Sequence, residues 1–232
     1  MSLYRQRCVM SEETIELTAE QQLVSDIQQG IGEVLKAADK PTVVELGAFH
    51  AEDSAWMSPY AGRYIALEPD PRAIQYIRLN YGESGLNGIT TFLEMAIAAH
   101  TGSVPLHLCD NEIGNGRASS SIRQPKLHLK FFPWCTFSRT VTVPCISLDD
   151  LYSLLNEKVE LLWVDVQGAE RDMIVGGREA LKKTHYLFIE ADDHEMYEGQ
   201  ANRATLLSML PDWEIEKEFE YNLLMRNSQW PV

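Results

Sequence analysis

Thr42-Val43-Val44-Glu45-Leu46-Gly47-Ala48-Phe49-His50-Ala51 is a short apolar run that ends on one glycine and passes into a helical stretch. Its β-branched residues favour a strand, Gly47 suits the tight turn that follows, and residues 51–60 read as a short helix. The same alternation repeats further along. Residues 64–67 form a second strand candidate, closed by Glu68-Pro69-Asp70-Pro71. Residues 72–79 have helical composition, with Ala73, Ile74, Tyr76, Ile77 and Leu79 on an apolar side, and residues 89–93 are a third strand. Strands alternating with helices predict βαβ units and a parallel sheet.

Upstream, Thr18 followed by Gln21 is a capping-box pattern. Leu23, Val24, Ile27, Ile31, Val34 and Leu35 recur at helical spacing until Pro41 stops the helix. Residues 1–17 read as an arm or short extra element. Downstream, residues 98–143 break the rhythm; rich in Gly, Ser, Pro and aromatics, they predict hairpins and loops inserted on the sheet. Alternation resumes with a strand at 161–164 and a helix over 169–183, weakened at Gly176-Gly177. A strand at 185–189 and a helix over 203–210 follow. An antiparallel pair, 213–220 with 222–226, closes the chain. The expected organisation is an N-terminal arm and helix (1–40) before one domain (41–232).

The 232 residues carry 34 acidic against 20 basic side chains, a net charge of −14. That balance repels a phosphate backbone and argues against nucleic-acid binding. Cys8, Cys109, Cys135 and Cys145 are scattered with no C-x-x-C pair, which disfavours a disulfide framework or cysteine-based zinc site and favours a reducing compartment. The first ten residues lack a signal-peptide core, and no window approaches eighteen apolar residues. A cytoplasmic protein with no membrane partner is expected.

In an open α/β sheet, ligands bind beyond the carboxyl ends of the strands, where strand order reverses. The groups at those ends are Glu45 to Ala51, Glu68-Pro69-Asp70, Glu94-Met95-Ala96, Asp165-Val166-Gln167-Gly168 and Glu190-Ala191-Asp192. Each contains a carboxylate. The first loop is not G-x-G-x-x-G, which argues against a dinucleotide pyrophosphate. Glu68, 23 residues after Glu45, stands where an acid accepts both hydroxyls of a ribose and disfavours a 2′-phosphate. Together these features fit a nucleoside without a pyrophosphate.

Glu45-Leu-Gly-Ala-Phe-His-Ala, Leu67-Glu68-Pro69, Asn80, and Ala96-Ile97 before Gly102 resemble the FkbM family of S-adenosylmethionine-dependent methyltransferases. So do Ser147-Leu148-Asp149-Asp150, Val164-Asp165-Val166-Gln167-Gly168-Ala169-Glu170, Gly176-Gly177 and Ile189-Glu190. The resemblance spans roughly residues 40–195. It departs at Phe49, Ala51 and Gln167, where the family usually has Asn, Gly and Glu. It implies a Rossmann-like methyltransferase fold: a mostly parallel seven-stranded sheet with an antiparallel last strand, plus the inserted segment. It also implies S-adenosylmethionine as cofactor and transfer of its methyl group to a hydroxyl of a small-molecule or sugar-containing acceptor.

On that resemblance the cofactor-binding residues are Glu45, Gly47, Ala48, Phe49, Glu68, Pro69, Glu94, Met95, Ala96 and Asp165. Gly47 and Ala48 let the backbone approach the aminoacyl end, Glu68 takes the ribose, and residues 94–96 meet the adenine. The catalytic candidates are Asp165, Glu190 and His194, histidine being the usual proton acceptor near neutral pH. No metal ligand is assigned, although Asp165, Glu190 and His194 leave a divalent-ion site as a lesser alternative. The ordinary reading of Asp165 is a helix cap, and of His194 a solvated acidic loop.

Arg117, Arg123, Lys126, Lys130 and Arg139 form a basic cluster without acids inside the insertion, accompanied by Ser119-Ser120-Ser121 and Phe131-Phe132-Pro133-Trp134. This predicts a lid or pocket wall for an anionic or glycosylated acceptor, or else a subunit contact, so a homo-oligomer is left open. The competing functions are an S-adenosylmethionine-binding module without catalysis and a nicotinamide-dependent oxidoreductase.

Overall fold

The computed structural model describes residues 18–82, 85–110 and 116–231; the expected arm at 1–17 lies outside them. Helix α1 (Ala19–Ala37) starts from the capping box read in the sequence. Thr18 Oγ1 accepts from the Gln21 amide at 3.2 Å, and the Thr18 amide donates to the Gln21 side chain at 2.9 Å. Ile31 and Leu35 are buried beneath the sheet, while Val24 turns outward.

Strand β1 (Thr42–Leu46) leads into α2 (Glu52–Met57), extended by a 3₁₀ turn over Ser58–Tyr60. Strand β2 (Arg63–Leu67) then leads into α3 (Pro71–Tyr81). Asp70 caps α3 and Pro71 takes its first turn, where the missing amide costs nothing. Of the expected apolar side, Ala73, Ile74 and Ile77 are buried, whereas Leu79 is 78% exposed. Next come β3 (Thr90–Leu93), β4 (Ala96–Ile97), β5 (Gly102–Leu108), α4 (His128–Phe131), β6 (Arg139–Ile146) and α5 (Leu148–Leu155). The chain continues through β7 (Val159–Val164), α6 (Glu170–Val175), α7 (Arg178–Leu181) and β8 (Thr184–Glu190). It ends with α8 (Arg203–Met209), β9 (Trp213–Glu218) and β10 (Asn222–Asn227).

The main sheet has seven strands in the order β3-β2-β1-β7-β8-β10-β9. β1, β2, β3, β7 and β8 run parallel, and β10 pairs antiparallel with both β8 and β9. This is the expected sheet, with its last strand antiparallel. Its central strands are apolar on both faces, as strands covered on each side by helices must be. Val44, Leu46, Leu162, Val164 and Leu187 pack toward α5, α6 and α8. Val43, Tyr64, Trp163 and Phe188 pack toward α1.

The inserted segment is a second sheet, β4-β6-β5, in which β5 and β6 pair antiparallel from Gly102↔Cys145 to Leu108↔Arg139. The helix expected over 169–183 is two short ones, because the backbone at Gly176 passes close to the β4–β5 turn. A Cβ there would lie 2.6 Å from the Ala98 carbonyl oxygen. Among the described residues, no helix is long and apolar enough to cross a membrane.

Candidate active site

Strand order reverses between β1 and β7, and the pairing Leu46↔Val164 sets Gly47 beside Asp165. The two turns touch. The Asp165 amide donates to the Leu46 carbonyl at 3.0 Å, and a Cβ on Gly47 (φ +92°) would lie 1.8 Å from the Asp165 carbonyl oxygen. Only glycine fits this crossing. The Gly47 and Ala48 amides both donate to the Leu67 carbonyl, at 2.9 and 3.0 Å. The bare turn expected to approach a cofactor therefore serves first to lock β1 and β7 together, and its amides are spent on β2.

Glu68 closes the next connection. Its Oε2 accepts from the Phe49 amide and its Oε1 from the Asp70 amide, both at 2.7 Å. Each oxygen keeps a lone pair for a further donor. Burial pushes this carboxyl up to about 7; the two amides pull it down, and the charges of Asp70 and Asp165 push it up again.

These turns form the floor of an open cleft with about 600 Å³ of space, bulk solvent at its mouth included. Gly47, Phe49, Glu68, Pro69, Met95, Ala96 and Asp165 all line it, so seven of the ten expected cofactor residues converge. The facing wall comes from the insertion, expected as a lid or pocket wall: Ser120 and Ser121, marked in the sequence, with Leu106, Ala118 and Ile122, which are not.

Three expected residues are not in that wall. Glu45 shares a face of β1 with Val43, which turns it toward α2. There it is 1% exposed and accepts from Ser54 Oγ and, at 2.8 Å, from Tyr64 Oη. Burial raises its carboxyl to about 8. Ala48 is buried in the α1-side core. Glu94 points away from the cleft, pairs with Arg78 at 3.1 Å and borders a separate groove beside α3.

Glu190 and His194 stand in a second cavity of about 870 Å³, which shares Gln167 with the first cleft. Gln167 Nε2 donates to Asp165 Oδ1 at 2.7 Å, and its Oε1 accepts from Tyr197 Oη at 2.8 Å. Ser121 Oγ donates to its carbonyl at 2.7 Å. The glutamine therefore divides the two spaces while belonging to both. Asp165 is open to the cleft yet ringed by protein, and desolvation raises its carboxyl. Glu190 is held well above the usual carboxylate range by burial and by the charges of Asp165, Glu170 and Asp192.

His194 Nδ1 lies 2.8 Å from Asp192 Oδ1. A carboxylate there favours the tautomer with its proton on Nδ1, which leaves Nε2 as the ring's acceptor. Among the described residues, no group of three or more His, Cys, Asp and Glu is placed to hold a metal ion, so Asp165, Glu190 and His194 do not assemble into one. Tyr197 carried no signal in the sequence. His128, Phe131 and Phe132, also in this wall, were visible only as part of an aromatic-rich insertion.

Three residues of the basic cluster, Arg123, Lys126 and Arg139, line neither cavity. Arg123 pairs with Asp172 at 2.6 Å and donates to the Glu198 carbonyl at 2.9 Å. Lys126 pairs with Glu195 and Arg139 with Asp110. The Arg117 side chain lies outside what the structure describes. In a chain this acidic, these cations neutralise the scaffold's own carboxylates, and the expected grip on an anionic acceptor is not built from them. The insertion is pinned to the sheet elsewhere: Ser120 Oγ donates to Asp70 at 3.0 Å and accepts from the Cys109 amide at 3.1 Å.

Residues 30–223 match the family model described as the methyltransferase FkbM domain. A curated relative, the 2-O-methyltransferase NoeI of Sinorhizobium fredii, is 36% identical over 199 residues, covering 82% of this chain and 80% of that protein. Among solved structures, the methyltransferase FkbM of Methylobacillus flagellatus superposes with a TM-score of 0.50 at 16% identity, over 80% of this chain. The chain spans only 43% of that structure's length. An rRNA methylase from Streptococcus thermophilus gives 0.50 at 9% identity, covering 87% of this chain and 95% of that one. The two structures share the fold, whereas the family match and the curated relative reach across the sequence itself: the chain belongs to the FkbM family of methyltransferases.

Proposed function

We propose that the first cleft binds S-adenosylmethionine and that the second cavity receives an alcohol, giving O-methylation of a small-molecule or sugar-containing acceptor. The observation that carries this reading is Gln167, which stands in the walls of both spaces beside Asp165. The residues fit the cofactor. Glu68 has lone pairs left for the ribose hydroxyls, Met95, Ile97, Leu106 and Ile122 offer apolar walls to an adenine, and Asp165 offers a carboxylate to the aminoacyl end. When bound, the cofactor supplies an electrophilic methyl group on its sulfonium. The relative's name places its methyl on an oxygen, which supports an alcohol here too.

The protein's own contribution is alignment and proton removal. Methyl transfer is dominated by proximity, and an alcohol also needs a base. His194, oriented by Asp192, is the base in this reading. Glu190, kept neutral, positions the acceptor hydroxyl instead of taking its proton. Asp165 aligns groups at the junction through Gln167. The donor is an intracellular metabolite, which agrees with a cytoplasmic setting.

Calorimetry with S-adenosylhomocysteine, followed by methyl-transfer assays over a range of alcohols, tests the reading. One-to-one binding and product formation are expected. Failure of S-adenosylhomocysteine to bind would remove the donor site.

A further inference from the structure

The second cavity contains an imbalance that the free protein does not resolve. His128, at 4% exposure one of its wall residues, has an Nδ1 shut off from solvent with no hydrogen-bond partner among the described residues. Its ring is held by packing, 4.9 Å from Phe132, 5.5 Å from Phe137 and 5.4 Å from Tyr197 between centroids. Burial lowers its pKa, so at neutral pH it is an uncharged imidazole. A buried nitrogen left unpaired is costly, and native structures seldom keep one without a use.

The rest of the wall narrows what would pair with it. Phe131, Phe132 and Tyr221 present aromatic faces, while Glu190, Asp192, Gln167 and Gln200 present oxygen and amide groups. Among the described residues, no lysine or arginine lines this cavity, and three of the insertion's five cations, Arg123, Lys126 and Arg139, are engaged with carboxylates. Among the described lining residues, an anionic acceptor would meet Glu190 and Asp192 and no lysine or arginine to balance it, at the desolvation cost of an unpaired buried charge. A neutral ring with C–H faces and several hydroxyls meets both kinds of surface. Phe132, whose ring centroid lies 4.9 Å from that of His128, is 38% exposed, and side chains this open rotate readily.

We infer that the second cavity is a site for a neutral, polyhydroxylated ring such as a glycosyl unit, selected against uronic acids and other anions, and that His128 recognises one of its hydroxyls. This rests on the two-cavity reading above and adds to it the acceptor's charge and one specificity-determining residue that the sequence did not mark.

The test uses the full chain saturated with S-adenosylhomocysteine and a panel of neutral methyl hexosides beside their methyl uronides. Binding is followed by saturation-transfer NMR and titration. Neutral members of the panel are expected to bind at least about tenfold more tightly than their uronides. His128→Phe, which keeps the ring packing and removes the nitrogen, should weaken that binding about 5- to 100-fold, the range for one lost hydrogen bond to a buried group. His128→Asn, which restores a polar atom near the Nδ1 position, should recover part of it. S-adenosylhomocysteine affinity should be unchanged in both variants. Equal or tighter binding of uronides, no neutral hexoside bound by the saturated protein, or an unaltered affinity in His128→Phe would each overturn the inference. Absence of S-adenosylhomocysteine binding would strike the donor-site reading beneath it.

Discussion

Glu68 holds two turns with one side chain, its oxygens taking the Phe49 and Asp70 amides. Glu68→Ala should therefore weaken S-adenosylhomocysteine binding by about 1–3 kcal/mol, the cost of leaving a buried partner unpaired, as measured by calorimetry. An unchanged dissociation constant would take Glu68 out of the donor site. His194→Ala should cut kcat by about 10²- to 10⁴-fold, the usual contribution of a general base, while leaving S-adenosylhomocysteine affinity intact; equal turnover would assign the proton elsewhere. Glu68 was marked in the sequence as an acid closing the second strand and lines the cleft, but its hold on the Phe49 and Asp70 amides was not legible, since those turns meet only in the fold. Gly47 was legible as special, but its reason, the Asp165 carbonyl, comes from a strand more than a hundred residues later. Glu45 misled for a related cause: Ser54 and Tyr64, which claim its carboxylate, are brought to it only by the packing of α2 and β2. His128 gave no signal, since a lone histidine among aromatics has no periodicity to read.

Elements were read more securely than their contacts. The parallel strands stood out as apolar runs because both their faces are buried, and the closing β9–β10 pair followed from its alternation. The insertion was legible as hairpins and loops, but not which strands pair, because β5 and β6 meet across some thirty intervening residues. Its basic residues suggested an anion until Arg123 was found against Asp172, 49 positions away. Arg123→Ala should accordingly act on the insertion's anchorage. The pair is about a fifth exposed, so a loss of about 1–2 kcal/mol is expected, below the range for fully buried pairs. That corresponds to a fall of a few degrees in Tm for a chain of this size. Faster proteolysis within residues 118–137 should accompany it. A stable, equally protected variant would mean the ion pair is idle.

Across the whole molecule, the buried carboxyls set the response to pH. Glu45, Glu68 and Glu170 sit at about 8, 7 and 7 instead of 4.5, chiefly through burial. In this window the folded chain holds protons that the unfolded chain has released. Their stabilising contribution is complete below about pH 4.5 and is lost as the pH climbs through 7 to 8. Every unit of displacement that persists is worth about 1.4 kcal/mol, or about 3–5 °C in Tm. Scanning calorimetry should thus find a lower Tm at pH 8 than at pH 5.5. Glu45→Gln can still accept from Ser54 and Tyr64, so it should flatten that slope and stabilise the protein at pH 8. A slope identical to the wild type would take Glu45 out of the effect and leave it to Glu68, Glu170 and the net charge of −14. The shared position of Gln167 has a practical corollary at the same scale. A synthetic inhibitor that tethers an adenosine to a second head group would pass beside Gln167, which lines both spaces, so a short linker is expected to suffice, and the tether itself should raise the affinity above that of either half.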